Sequence, residues 1–165
     1  MADKAMNVYL NDHLAGAMLG SDLAEQIRSQ NRSTPLGELM ELLAPQIEED
    51  RQTLIALMRS MDSSKNPVKQ AGAWVTEKAS RLKFSGASSG GPELGAFLAL
   101  ESLALGVQGK LALWKALKQV TDQHPAIAAV NLDELIDRAE VQYDLLERER
   151  LMASVRALGS VPVAR

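Results

Sequence analysis

The segment Pro92 to Val120, PELGAFLALESLALGVQGKLALWKALKQV, is the longest apolar-periodic run of the chain, and its reading decides how the remainder must be arranged. It predicts one long, largely buried helix over about 92–121. Read at alternating steps of three and four, the core-facing register runs Leu94, Leu98, Glu101, Leu105, Gln108 and Ala112. That register puts a carboxylate at the centre of an apolar stripe. A carboxylate withdrawn from water has to be paired, protonated or liganding, so what Glu101 meets on the neighbouring helices becomes the functional question.

A chain of 165 residues suits a single domain with a real core. Apolar residues make up 46% but aromatics only 4%, with Leu and Ala dominant, and this balance favours helices packed on helices over a sheet. The fold class expected is therefore all-α. A formal charge of −3 is too small to imply a polyanionic partner, so no nucleic acid is expected. With no cysteine, disulfides, thiolate metal sites and cysteine nucleophiles are removed together, and any chemistry must use carboxylates, the two histidines and hydroxyls. The opening MADKAMNVYLNDH lacks the basic flank and apolar core of a signal peptide, so a cytoplasmic protein is expected.

Outward from the central segment, a first helix is expected over 4–29, with Met6, Leu10, His13, Ala17, Gly20, Ala24 and Ile27 on one stripe. His13 points inward on this reading, and the small residues Ala15, Gly16, Ala17 and Gly20 beyond it let another helix approach closely. Thr34 and Pro35 form an N-cap and first-turn pair that opens a second helix, 35–62. Its stripe reads Leu36, Met40, Leu43, Ile47, Asp50, Leu54, Leu57 and Met61, with Asp50 as a second inward ionisable group. Asn131 caps a last helix over 131–158, with Leu135, Ala139, Gln142, Leu146 and Glu149 on one stripe and Tyr143 at its border. No run approaches the roughly 20 apolar residues needed to span a bilayer, so no transmembrane segment is expected.

Between the second and third long helices, 63–91 changes character. Pro67 opens a shorter amphipathic helix, 67–83, read as a crossover. Lys65, Lys69, Lys78, Arg81 and Lys83 against Glu77 make 65–83 basic, and with Trp74 it is a candidate for peripheral membrane contact, although a solvated face is the plainer reading. SGASSGG follows no strand and lacks the Gly-Lys-Ser/Thr ending of a phosphate cradle, so it reads as a linker.

Four long helices with one long crossover resemble the ferritin-like superfamily. YLNDHLAGAMLG (9–20) and EEDRQTL (48–54) are similar to its uncharacterised bacterial members. In metal-loaded relatives a Glu comes from each of the first and third helices and a Glu-x-x-His pair from each of the second and fourth. The resemblance matches Glu101 to the third helix. The first helix offers His13, the second Glu48 with Arg51 or Glu49 with Gln52, and the fourth Glu140 with Tyr143. It therefore implies a degenerate di-iron site, in which His13, Asp50 and Glu101 form either a buried polar cluster or a reduced site for iron or manganese, with Gln108 and Tyr143 at its edge. The seven Met read as gap-fillers.

No nucleophile elbow, nucleotide-binding turn or carboxylate pair across a cleft is present in the sequence. The expected function is a non-enzymatic helical bundle, homodimeric, acting as a binding or stress-associated protein without a cofactor. The alternatives are a metal-binding redox protein with a reduced site and a carrier of an apolar small molecule that uses a gap beside Gly16, Gly106 and Gly109.

Overall fold

In the computed structural model, residues 2–61 and 91–159 are described, and among them every regular element is helical. The elements are α1 (Ala2–Gln30), α2 (Pro35–Ser60), α3 (Gly91–Lys118), a 3-10 turn (Thr121–Gln123), the one-turn helix α4 (Pro125–Ala128) and α5 (Leu132–Leu158). The four long helices have 29, 26, 28 and 27 residues. The crossover helix expected over 67–83, with its basic face, lies outside the described residues.

The turn from α1 to α2 follows local chemistry. The Thr34 hydroxyl accepts a hydrogen bond from the Gly37 backbone N–H at 3.1 Å, and Pro35 occupies the first turn, where its missing N–H costs nothing. Gly37 is there for a steric reason, because a Cβ at this position would fall 2.0 Å from the Asn31 carbonyl oxygen. Pro45 is carried within α2 on its exposed side. Asn131 caps α5 through a bond from the Glu134 N–H, as the sequence leads one to expect. The segment between α3 and α5 contains the 3-10 turn and α4. It is ordered because Ile127 plugs fully into the core.

Packing defines two antiparallel hairpins, α1 with α2 and α3 with α5. α1 also lies along α3, and α2 meets α5 more sparsely. Two apolar clusters fix the helix directions. One joins Leu10 and Leu14, from the first half of α1, to Leu57 and Met58 near the end of α2, Trp114 and Leu117 near the end of α3, and Leu132 and Leu135 at the start of α5. The other joins Ala24 and Ile27, Met40 and Leu43, Phe97 and Leu100, and Leu146 and Ala153. The helices therefore run up, down, down, up. The chain leaves α2 at one end of the assembly and enters α3 at the other, roughly 40 Å away for helices of this length.

Two expectations for α3 are corrected. Its buried face runs Phe97, Leu100, Leu103, Ala104, Val107, Leu113, Trp114 and Leu117, whereas Leu105, Gln108 and Ala112 of the expected stripe face outward. Being apolar almost all round, the helix gave its register little periodic signal. Its 28 residues are also long and apolar enough, by length and composition, to cross a membrane, contrary to the expectation that no segment is. In the bundle α3 packs against α1 and α5, with 33% of that apolar window buried.

Candidate functional site

At mid-height, in the layer between the two apolar clusters, sits a buried network centred on Asp50 of α2, whose side chain has no exposure. Lys110 of α3 donates to Asp50 Oδ2 at 2.5 Å and to Gln142 Oε1 at 2.5 Å. Arg138 of α5 donates to Asp50 Oδ1 and pairs with Glu49 at 3.2 Å. Gln142, fully buried, passes its own amide hydrogen to Gln46 at 3.1 Å. Three helices thus converge on one carboxylate. Burial pushes the Lys110 ammonium below the usual lysine range, with Asp50 opposing that shift and Arg138 adding to it. For Arg138, burial lowers the value, but Asp50 and Glu49 outweigh it and hold the guanidinium firmly charged. Removing one partner of such a group leaves an uncompensated buried charge, a loss of about 3–5 kcal/mol.

Beside this network, α1, α2 and α3 enclose a cleft of about 200 Å³. Its walls include Gly16 and Gly20 of α1, Ile47 and Leu54 of α2, and Leu103, Gly106, Val107, Gly109 and Leu113 of α3. Asp12, His13, Asp50, Arg51, Lys110 and Trp114 supply its polar groups. A Cβ added at Gly16, Gly20, Gly106 or Gly109 would meet nothing within 4 Å, so these glycines leave a real opening where other residues would narrow it. Trp114 is 1% exposed, and its indole N–H is buried without an acceptor.

His13 and Asp50, both expected in the core, line this one cleft. The His13 ring stands edge-on to Tyr9 with centroids 4.5 Å apart, half-buried where full burial was expected. Glu101 does not join them. It sits on the seam between α3 and α5, 40% exposed, and accepts from Arg150 at 3.1 Å. Gln108 is exposed, and Tyr143 packs half-buried against the apolar cluster containing Leu146. The register of α3 is the cause, since turning that helix to bury Phe97 and Leu100 carries Glu101 to the edge and Lys110 inward. Among the described residues, no three His, Cys, Asp or Glu side chains stand close enough to share a metal ion, so the expected set of three does not form.

The positions where the resemblance looked for Glu-x-x-His pairs hold ion pairs. Glu48 bonds Arg51 at 2.6 and 2.8 Å and accepts from Ser21 of α1 at 2.6 Å. Arg51 first, then Ser21 and Gln52, hold its carboxyl down to about 2 against the opposing pull of burial. Glu140 pairs with Lys115 on the outer surface.

Lys110, Arg138 and Trp114 were missed by the sequence reading. Lys110 did carry a signal, being the lone ionisable residue between Glu101 and Lys115 in an otherwise apolar helix. No family model matches the chain, and neither a curated protein nor a solved structure is significantly similar to it.

Proposed function

We propose that this chain is a non-enzymatic helical bundle of ferritin-like type that holds a small, mostly apolar molecule in the cleft between α1, α2 and α3. The observation that carries the reading is the cleft, walled by glycines on two facing helices and by Ile47, Leu54, Leu103, Val107 and Leu113. Apolar walls with a few converging polar groups, set between the helices of a bundle, are the usual make-up of a ligand pocket. The up, down, down, up order and the end-to-end connection after α2 support the ferritin-like assignment.

The test is to fill the cleft. Gly16→Leu with Gly106→Leu places side chains into open space and replaces the poorest helix former but proline, so the variant is expected to fold. Native mass spectrometry of protein purified under mild conditions should show a small molecule on the wild type and none on the variant. Wild type that carries no molecule, and whose melting temperature no apolar probe raises, would overturn the reading.

For self-association the relevant observation is the exposed series Leu151, Met152, Val155 and Leu158 along the end of α5. We read it as part of a homodimer contact. Light scattering that gives the mass of a single chain at every concentration would refute it.

A further inference from the structure

The cleft's polar groups indicate the chemistry of its occupant. The indole N–H of Trp114 is buried with no acceptor, although buried polar groups in folded proteins almost always find one. Lys110 also lines the cleft, and its ammonium has three N–H bonds, of which Asp50 and Gln142 take two. Asp50 cannot serve both groups. Its Oδ1 is taken by Arg138, while its Oδ2 accepts from Lys110 and, at 3.5 Å, from Gln142. The uncommitted hydrogen-bonding capacity of Trp114 and Lys110 is thus donor capacity, within an apolar enclosure. A hydrocarbon would leave it unmet, and a ligand donor could not meet it.

We infer that the cleft takes a compact apolar molecule ending in an oxygen acceptor, a carbonyl or carboxylate, seated against the Trp114 indole N–H and the Lys110 ammonium. This rests on the small-molecule reading above and specifies one end of the ligand. The space limits the size of the apolar part. A dry cavity of about 150 Å³ accommodates benzene, so about 200 Å³ suits one ring with a short substituent or a chain of similar bulk.

Three probes of nearly one shape separate the possibilities: ethylbenzene, acetophenone and benzoate, titrated into the full-length protein by calorimetry and followed by the Trp114 indole N–H resonance. The inference expects the oxygen-bearing probes to bind about tenfold or more tightly over ethylbenzene, the effect of one hydrogen bond to a buried donor. It also expects the indole resonance to move downfield with them and not with ethylbenzene. Trp114→Phe removes the indole donor and leaves Lys110, so it should weaken the preference, and Trp114→Phe with Lys110→Met, which removes both donors, should abolish it while ethylbenzene still binds. Benzoate binding over acetophenone identifies a carboxylate as the acceptor, and the reverse order a neutral carbonyl. Equal binding of all three, or a preference that survives the loss of both donors in Trp114→Phe with Lys110→Met, overturns the acceptor and leaves the apolar cleft standing. Failure of every probe to bind overturns both readings.

Discussion

Asp50 and Glu140 are both carboxylates on long helices, each within reach of a lysine from α3, yet they do different physical work. Asp50 is sealed between Lys110, Arg138 and Gln142 with no exposure, whereas Glu140 meets Lys115 with both side chains about half exposed. Near water the Coulomb gain is screened and offset by side-chain entropy, so the outer pair adds little. Inside the bundle the pairing is obligatory, because any member left alone has lost its hydration without replacement. Burial, and not the identity of the residues, sets the worth of a salt bridge here. The buried network also fixes where α2, α3 and α5 stand relative to one another, a constraint that the rim pairs do not impose.

The sharpest way to break this contrast is Asp50→Ala, which leaves Lys110 only Gln142 and Arg138 only the exposed Glu49. A loss of about 3–5 kcal/mol is expected in urea denaturation, and a loss below about 1 kcal/mol would show that water reaches the network. Lys110→Met is expected to cost less, roughly 2 kcal/mol, since Asp50 keeps Arg138 and the main deficit is an acceptor on Gln142 left unmet. Combined with Asp50→Asn, it should destabilise by less than the sum of the single changes, and strict additivity would mean the two side chains are not coupled.

On the cleft side of the network, Gly106→Ala should stabilise by up to about 1 kcal/mol, because the added methyl meets nothing and improves helix propensity. A lower melting temperature would show that something already fills the space. Glu48 sharpens the comparison through pH. Its folded pKa of about 2 lies below the ordinary value of 4.5, so its contribution is complete above the unfolded value and disappears as pH falls through that window. The group is 41% exposed, so the effect is modest. Glu48→Gln should flatten the acid limb of the stability curve in that window and leave its alkaline limb unchanged. The smallest effect is expected from Glu140→Gln, within about 0.5 kcal/mol of wild type.

Legibility in the sequence followed amphipathicity. α2 and α5 each carry a polar face, and of their expected stripes Met40, Leu43, Ile47, Asp50, Leu54 and Leu57, and Leu135, Ala139, Gln142 and Leu146, are buried, while Leu36, Met61 and Glu149 at the stripe ends are half-buried. The caps at Thr34 and Asn131 were equally legible, because local geometry alone dictates them. α3 was legible as a helix but not in rotation, since Leu94, Leu98 and Leu105 offer as good a stripe as Phe97, Leu100 and Val107 until a partner is present. The site inherited that error. Asp50 was placed correctly, Glu101 was brought inward in place of Lys110, and the partner Arg138 could not be found because its long side chain reaches the core from a half-buried position. The gap beside Gly16, Gly106 and Gly109 was legible because glycine leaves space whichever way a helix is turned.

The up, down, down, up course of the chain has a consequence for connectivity. Each hairpin is one uninterrupted piece, and the buried network is divided between them, with Asp50 and Gln46 on the first and Lys110, Arg138 and Gln142 on the second. The first hairpin from one molecule and the second from another would rebuild the same network, with every internal contact unchanged. No internal contact opposes exchange between two chains, and shortening the connection between the hairpins becomes a lever that favours an interlocked pair over two self-closed bundles.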